Sequence, residues 1–241
     1  MRCRHWYYFG EYFSKVLKGK KLNMDNWNIL SNVGMDKNFS IEETVEEYDK
    51  NCRLEESYRN VAEILCDEFD RKKSYNIASV GVGKGILEWH IKNMRPDIKV
   101  TCTDYTEEAL KKLKKVFRKA DALLCFDMLK DDWSMLNQYD YVILYRVSTE
   151  FSFSEWKKIF EQMSEKQIEH VVFIPTGLDT YKNMLLELSG HLVRIMRKKK
   201  DIFCGWLYSE NEFRRMWKGK YVEERCIYTR NTAVFSLNRI K

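Results

Sequence analysis

The sequence predicts an α/β fold: a doubly wound, mostly parallel seven-stranded sheet with an antiparallel C-terminal hairpin and an N-terminal helical addition. Three observations predict it. Beyond residue 70, short apolar runs alternate with amphipathic helical patterns. The first of these runs ends in a glycine-rich turn, Gly81-Val82-Gly83-Lys84-Gly85. The last two runs, Tyr221 to Tyr228 and Thr232 to Leu237, are separated only by Thr229, Arg230 and Asn231. That gap allows a hairpin but no parallel crossover.

The elements follow in order. The first ~40 residues are aromatic and basic, and Trp6, Phe9, Phe13 and Val16 recur at helical spacing. Ser40 and Glu43 form a capping-box signature. It opens a helix over about 41–70, broken once, with Val45, Tyr48, Cys52, Tyr58, Val61, Leu65 and Phe69 on its apolar face. Ile77 to Val80 is the first strand, and Leu87, Ile91 and Met94 mark the helix after the turn. Ile98 to Thr103 is the second strand. Thr106 caps a charged helix with Glu107 and Glu108 in its first turn, where the helix dipole favours anions. Ala122 to Phe126 is the third strand, and a short helix at Trp133 to Leu136 leads to the fourth, Tyr141 to Tyr145. Ser152 and Glu155 cap a helix to about Glu165, before the fifth strand, Val171 to Ile174. Ser209 and Glu212 open the last helix. The basic, amphipathic stretch 178–208 fits no strand–helix unit.

Composition narrows the class. Apolar residues make up 44% and charged residues 32%, as in an ordinary globular protein. The expected organisation is a helical segment or lid over 1–70, packed on a core domain over 71–241, with 178–208 as a candidate substrate-covering insertion. The net charge of +6 is spread over short basic runs that read as solvated faces, so nucleic acid is not the favoured partner. Seven scattered cysteines form no CxxC pair, which argues against a metal site and fits a reducing cytosol. The start of the chain lacks the long apolar run of a signal peptide, and no stretch approaches the ~20 apolar residues that span a bilayer. A cytoplasmic location is the expectation; oligomeric state stays open.

The chemistry centres on the turn and on Asp104 at the end of the next strand. Glycines let a backbone approach a ligand closely. An acid at the end of the second strand accepts hydrogen bonds from ribose hydroxyls in nucleoside-binding α/β folds. A dinucleotide site would want a third small residue where Ile86 stands, and Gly-Lys-Ser/Thr is absent, so a P-loop is excluded.

With Asp127-Met128 after the third strand, the run Tyr139 to Leu144 and the closing hairpin, the pattern resembles the class I, Rossmann-like S-adenosylmethionine-dependent methyltransferases. The resemblance spans about 75–241. It implies S-adenosylmethionine as cofactor. It places the methionine part against Gly81, Val82, Gly83 and Gly85, the ribose on Asp104, adenine against Tyr105 with Asp127 and Met128 at its edge, and Tyr145 beside the cofactor. Asp127 could equally cap the short helix that follows. The family often carries an acid just before the glycines. Here Ala78-Ser79-Val80 offers none, which leaves the cofactor's amino group to main-chain carbonyls or another side chain. Lys84 could meet the cofactor carboxylate or solvent.

Methyl transfer from a sulfonium needs mainly an aligned acceptor, and a base only where the acceptor must lose a proton. Arg146 and Glu150, at the exit of the fourth strand, are the candidates to orient it; local ion pairing or capping is the competing reading. Of the histidines, His90 reads as a helix-surface residue and His170 lies at the wrong end of its strand. His5 and His191 lie in segments that could cover the site. A small-molecule O- or N-methyltransferase is the leading reading. An RNA or protein methyltransferase and a non-catalytic partner subunit of the same fold are the alternatives.

Overall fold

In a computed structural model, residues 3–7, 44–199, 201–230 and 232–241 are described. Among them nine strands and seven α-helices form. In chain order these are β1 (Cys3–Tyr7), α1 (Val45–Arg53), α2 (Glu56–Lys72), β2 (Asn76–Val80), α3 (Ile86–Met94), β3 (Lys99–Asp104), α4 (Glu107–Val116), β4 (Ala122–Cys125), β5 (Tyr141–Tyr145), α5 (Phe153–Glu165), β6 (His170–Ile174), α6 (Tyr181–Met196), β7 (Ile202–Leu207), α7 (Glu210–Trp217), β8 (Tyr221–Tyr228) and β9 (Ala233–Arg239). A single 3-10 turn spans Trp133–Leu136.

The main sheet has seven strands in the order β4-β3-β2-β5-β6-β9-β8. The first five are mutually parallel, and β9 runs antiparallel to both β6 and β8. The antiparallel strand is therefore second from the edge, not outermost. Burial explains the choice. The segment Ala233 to Leu237 is buried throughout, whereas most of β8 is exposed or half-buried. The more apolar strand takes the covered position, and the polar one takes the edge.

Alternation along the strands divides the core. Val142 and Leu144 face a cluster with Trp156, Ile159, Phe160 and Met163 of α5 and Phe213, Met216 and Trp217 of α7. Tyr141 and Ile143 face the other side, toward α1, α2, α3 and Leu113 of α4. Trp156 is fully buried, ringed by Phe151, Phe160 and Phe173, and its indole N–H donates to the Ser148 carbonyl just beyond β5. Trp156→Ala is expected to lower the unfolding free energy by about 3–5 kcal/mol in urea denaturation. It should also loosen the β5 exit.

Two expectations change. The single break expected in the helix over about 41–70 falls at Leu54 and Glu55 and parts two helices. The capping box that opens the first is Thr44 with Glu47; Ser40 and Glu43 lie outside the described residues. Thr106 stands at its predicted N-cap position, but its hydroxyl donates to Asp104 instead of accepting from the helix. Trp6 belongs to a strand, not a helix: β1 pairs antiparallel with β7 in a separate two-stranded sheet. Phe9, Phe13 and Val16 lie outside the described residues.

Candidate functional site

Strand order reverses at β2, whose chain neighbour β3 lies on one side and β5 on the other. Ligands of open α/β sheets bind outside the carboxyl ends of the strands at such a switch point. The glycine turn sits there. Gly81, Gly83 and Gly85 have φ of 75, 53 and 65°, in the left-handed region that favours glycine. A side chain on Gly81 would strike Val147, and one on Gly85 would strike Leu113. Beyond Gly83 nothing lies within 4 Å. The turn is thus packed against protein on two sides and open on the third.

Its donors are largely used. Gly81 N–H and Val82 N–H both donate to the Thr103 carbonyl, at 2.8 and 3.0 Å, and Gly85 N–H to Val82. Gly83 N–H donates to the Asp104 carboxylate at 3.0 Å. A pyrophosphate cradle needs several free, convergent N–H groups. This turn has spent four, so it suits a ligand without phosphate. From behind, the Tyr48 hydroxyl of α1 donates to the Lys84 carbonyl at 2.8 Å and braces the turn.

Asp104 is buried, and burial pushes its carboxyl above the ordinary value against its hydrogen bonds. One oxygen takes the Thr106 N–H and hydroxyl, each at 3.1 Å, and the other takes Gly83. A carboxylate has about four acceptor positions, so capacity remains for a ribose hydroxyl.

A second carboxyl lies below the turn. Glu88, in the first turn of α3, is buried and accepts from the Ser79 hydroxyl at 2.5 Å. Burial pushes it up to about 7 from 4.5, partly offset by that hydrogen bond. Between those values the folded protein holds a proton that the unfolded chain has lost. Glu88's contribution to stability is therefore fully present below pH 4.5 and is lost as pH rises through 7. The contribution is about 3 kcal/mol. Glu88→Gln should remove this decline, leaving the variant more stable than the wild type at pH 8 but not at pH 4.5 in denaturant titrations.

At the β5 exit, Tyr145 packs edge-on against Tyr58 of α2, ring centroids 5.3 Å apart. Arg146 donates to the Tyr58 hydroxyl at 3.2 Å and lies over its ring. Its φ of 58° is unusual for a non-glycine residue, a conformation that surrounding structure must hold. Glu150 is half-buried at the end of the following turn. Asp127 has its side chain engaged locally, accepting from Leu129 N–H and pairing with Lys130. The 3-10 turn is capped by Asp132 instead. Met128 is buried in the core, Tyr105 is half-buried, and Lys84 is exposed.

The β1–β7 pair reaches this same exit. The backbone at Gly205 approaches so closely that a Cβ there would lie 2.1 Å from the Thr149 carbonyl oxygen. Opposite Gly205 stands His5, whose Nδ1 is 2.9 Å from the Glu187 carboxylate of α6. The same carboxylate accepts from Trp6 N–H. His5 and Glu187 line a cleft of about 150 Å³ with Thr176, Gly177, Asn183 and Leu186. Trp6 stacks on His191, which meets Asp201. His170 bonds Asn238 at the amino end of β6, away from the carboxyl ends of the strands. His90 is not a surface residue: it is buried, with Nε2 2.9 Å from the Cys52 carbonyl, and burial pushes its pKa down. The sequence reading missed Glu88, Tyr58 and Tyr48 as site residues. Only Glu88 carried a signal, an acid inside the apolar run Ile86-Leu87-Glu88-Trp89.

No family model matches the chain, and no curated protein sequence does. Solved structures match by shape. Human N-acetylserotonin methyltransferase in complex with S-adenosylmethionine is 16% identical, with a TM-score of 0.59 over 95% of this chain and 65% of that one. The mitomycin 7-O-methyltransferase MmcR is 13% identical, with a TM-score of 0.64 over 95% and 66%. Magnesium protoporphyrin IX methyltransferase from Synechocystis, with bound S-adenosylhomocysteine, is 14% identical, with a TM-score of 0.59 over 94% and 100%. The chain spans just under two thirds of the first two proteins and the whole of the third.

Proposed function

We propose that this chain, which has the fold of the class I S-adenosylmethionine-dependent methyltransferases, binds S-adenosylmethionine and transfers its methyl group to an oxygen or nitrogen of a small molecule. The observation that carries the reading is Asp104 bonded to Gly83 N–H at the switch point, an acid beside an open turn whose Gly81, Val82 and Gly85 N–H groups are already engaged. The donor set fits the cofactor. Asp104 takes the ribose, the open side of Gly83 receives the methionine part, and Tyr105 lies against adenine. The main chain at Asp127 and Met128 borders the adenine edge. The bound cofactor supplies an electrophilic methyl group on a good leaving group. The chain's own task is alignment.

Arg146 and Glu150 stand at the acceptor side. Tyr58 and Tyr145 hold the Arg146 side chain, so it presents a fixed cation to an acceptor. Arg146→Ala and Glu150→Ala should raise the acceptor KM while S-adenosylhomocysteine affinity, read by calorimetry, stays within about threefold, ~0.7 kcal/mol. Unchanged turnover and KM in both would remove them from the acceptor site. The small-molecule acceptors named for the neighbouring structures support that acceptor class. The test of the whole reading is calorimetric binding of S-adenosylmethionine and S-adenosylhomocysteine to the wild type. A salt-sensitive gel shift with tRNA would favour an RNA methyltransferase instead. Absence of cofactor binding would favour a partner subunit.

A further inference from the structure

Glu88 differs from the other buried acids of the fold. Glu68 pairs with Arg71, and Asp104 receives three donors. For Glu88 the described side-chain partner is the Ser79 hydroxyl, and among the described residues no ion pair includes it. Ser79 lies near the carboxyl end of β2, two residues before Gly81, so the carboxyl is held directly under the turn. Its charge is felt by Tyr48 of α1, Tyr58 of α2, Cys102 of β3 and Tyr145 of β5. Burial pushes all four upward, so they stay neutral through pH 8. Arg146, bonded to Tyr58 and Tyr145, stays cationic. His90, on the same helix, is bonded to Cys52 and pushed below its ordinary value. Asp104 is the other carboxyl at the turn, also pushed upward by burial.

A buried carboxyl without a cation keeps its proton, because charging it costs too much. A ligand that brings a positive group to the turn reverses that balance. We propose that Glu88 is the counter-ion for the ammonium group of the ligand bound at the glycine turn, giving up its proton as that ammonium arrives. The step balances: a neutral carboxylic acid and an ammonium ligand become a carboxylate–ammonium contact, direct or relayed by Ser79, and one proton passes to solvent. This rests on the cofactor reading above. It makes the turn selective for an amino-acid-bearing nucleoside over an uncharged one. A carboxyl pushed up to about 7 places the exchange in the neutral range.

The test is calorimetry on the full chain with two probes, S-adenosylhomocysteine and methylthioadenosine, which lacks the amino-acid part. Each is titrated between pH 6 and 8 in buffers of differing ionisation enthalpy. S-adenosylhomocysteine should release part of a proton at pH 6. Its affinity should rise with pH, approaching about tenfold per unit well below 7, and level off above it. In Glu88→Gln, which keeps the volume and a Ser79 partner, proton release should vanish, and affinity should be pH-flat and at least about tenfold weaker at pH 8, ~1.4 kcal/mol. Glu88→Asp should restore proton release. Methylthioadenosine should respond to neither pH nor mutation. Wild-type binding without proton release, or Glu88→Gln binding like wild type, overturns this proposal alone. A wild type that binds neither probe overturns the cofactor reading and this proposal with it.

Discussion

Asp104→Ala is expected to abolish measurable binding of S-adenosylhomocysteine. Two losses combine. The ribose loses its acceptor, and a hydrogen bond to a charged group contributes about 1.5–3 kcal/mol. The Gly83 N–H also loses the partner that holds the turn in register with β3. The same substitution leaves the Thr106 N–H without its acceptor and should lower stability by about 1–3 kcal/mol. Asp104→Asn separates the two effects. Its carbonyl oxygen can keep one of the local donors, so most of the fold's stability should remain, while affinity still falls about 10–100-fold. Wild-type affinity in Asp104→Asn would move the ribose site elsewhere.

Gly81→Ala and Gly83→Ala should fail in different ways. At Gly81 a methyl group would lie 2.5 Å from a Val147 methyl, at a φ of 75°. Overpacking and left-handed strain together should lower stability by about 2–5 kcal/mol. Trimming the neighbour in Gly81→Ala/Val147→Ala should recover the steric part but not the strain. At Gly83 the methyl meets no protein atom, so only the strain remains, about 1–2 kcal/mol. Yet that methyl projects into the open side of the turn, where the methionine part is placed. Gly83→Ala should therefore fold, with a modest drop in Tm, and bind S-adenosylhomocysteine at least about tenfold more weakly. A Gly83→Ala protein that binds normally would show that the ligand does not lie over that side.

The amino-acid order alone determined much of the architecture. Near-continuous apolar runs at Ile77–Val80, Tyr141–Tyr145 and Val171–Ile174 became central strands, because only a sheet covered on both faces accommodates such segments. Ser152 with Glu155 and Ser209 with Glu212 became reciprocal helix caps, interactions within four residues of chain. The three glycines adopted the left-handed geometry that their residue type tolerates, and Asp104 came to Gly83 because adjacent parallel strands bring their ends together.

Tertiary structure decided what depends on distant partners. Trp6 became part of a strand because Ile202–Leu207, nearly 200 residues later, supplies the hydrogen bonds that its own segment lacks. The burial of His90 depends on the Cys52 carbonyl of another helix. Tyr58 joined Arg146 across the β5 exit by the packing of α2. Within the expected hairpin, the antiparallel strand takes the place inside β8 because it is the more apolar of the two. Glu88 shows the division most directly. The sequence determined that a carboxyl stands among Leu87, Trp89 and Ile91, but its protonation depends on desolvation by neighbours from β2 and the surrounding helices. Local order specifies backbone and caps through short-range sterics and hydrogen bonds. Burial and charge state are set by whatever the rest of the chain brings within a few ångströms, which no local pattern encodes.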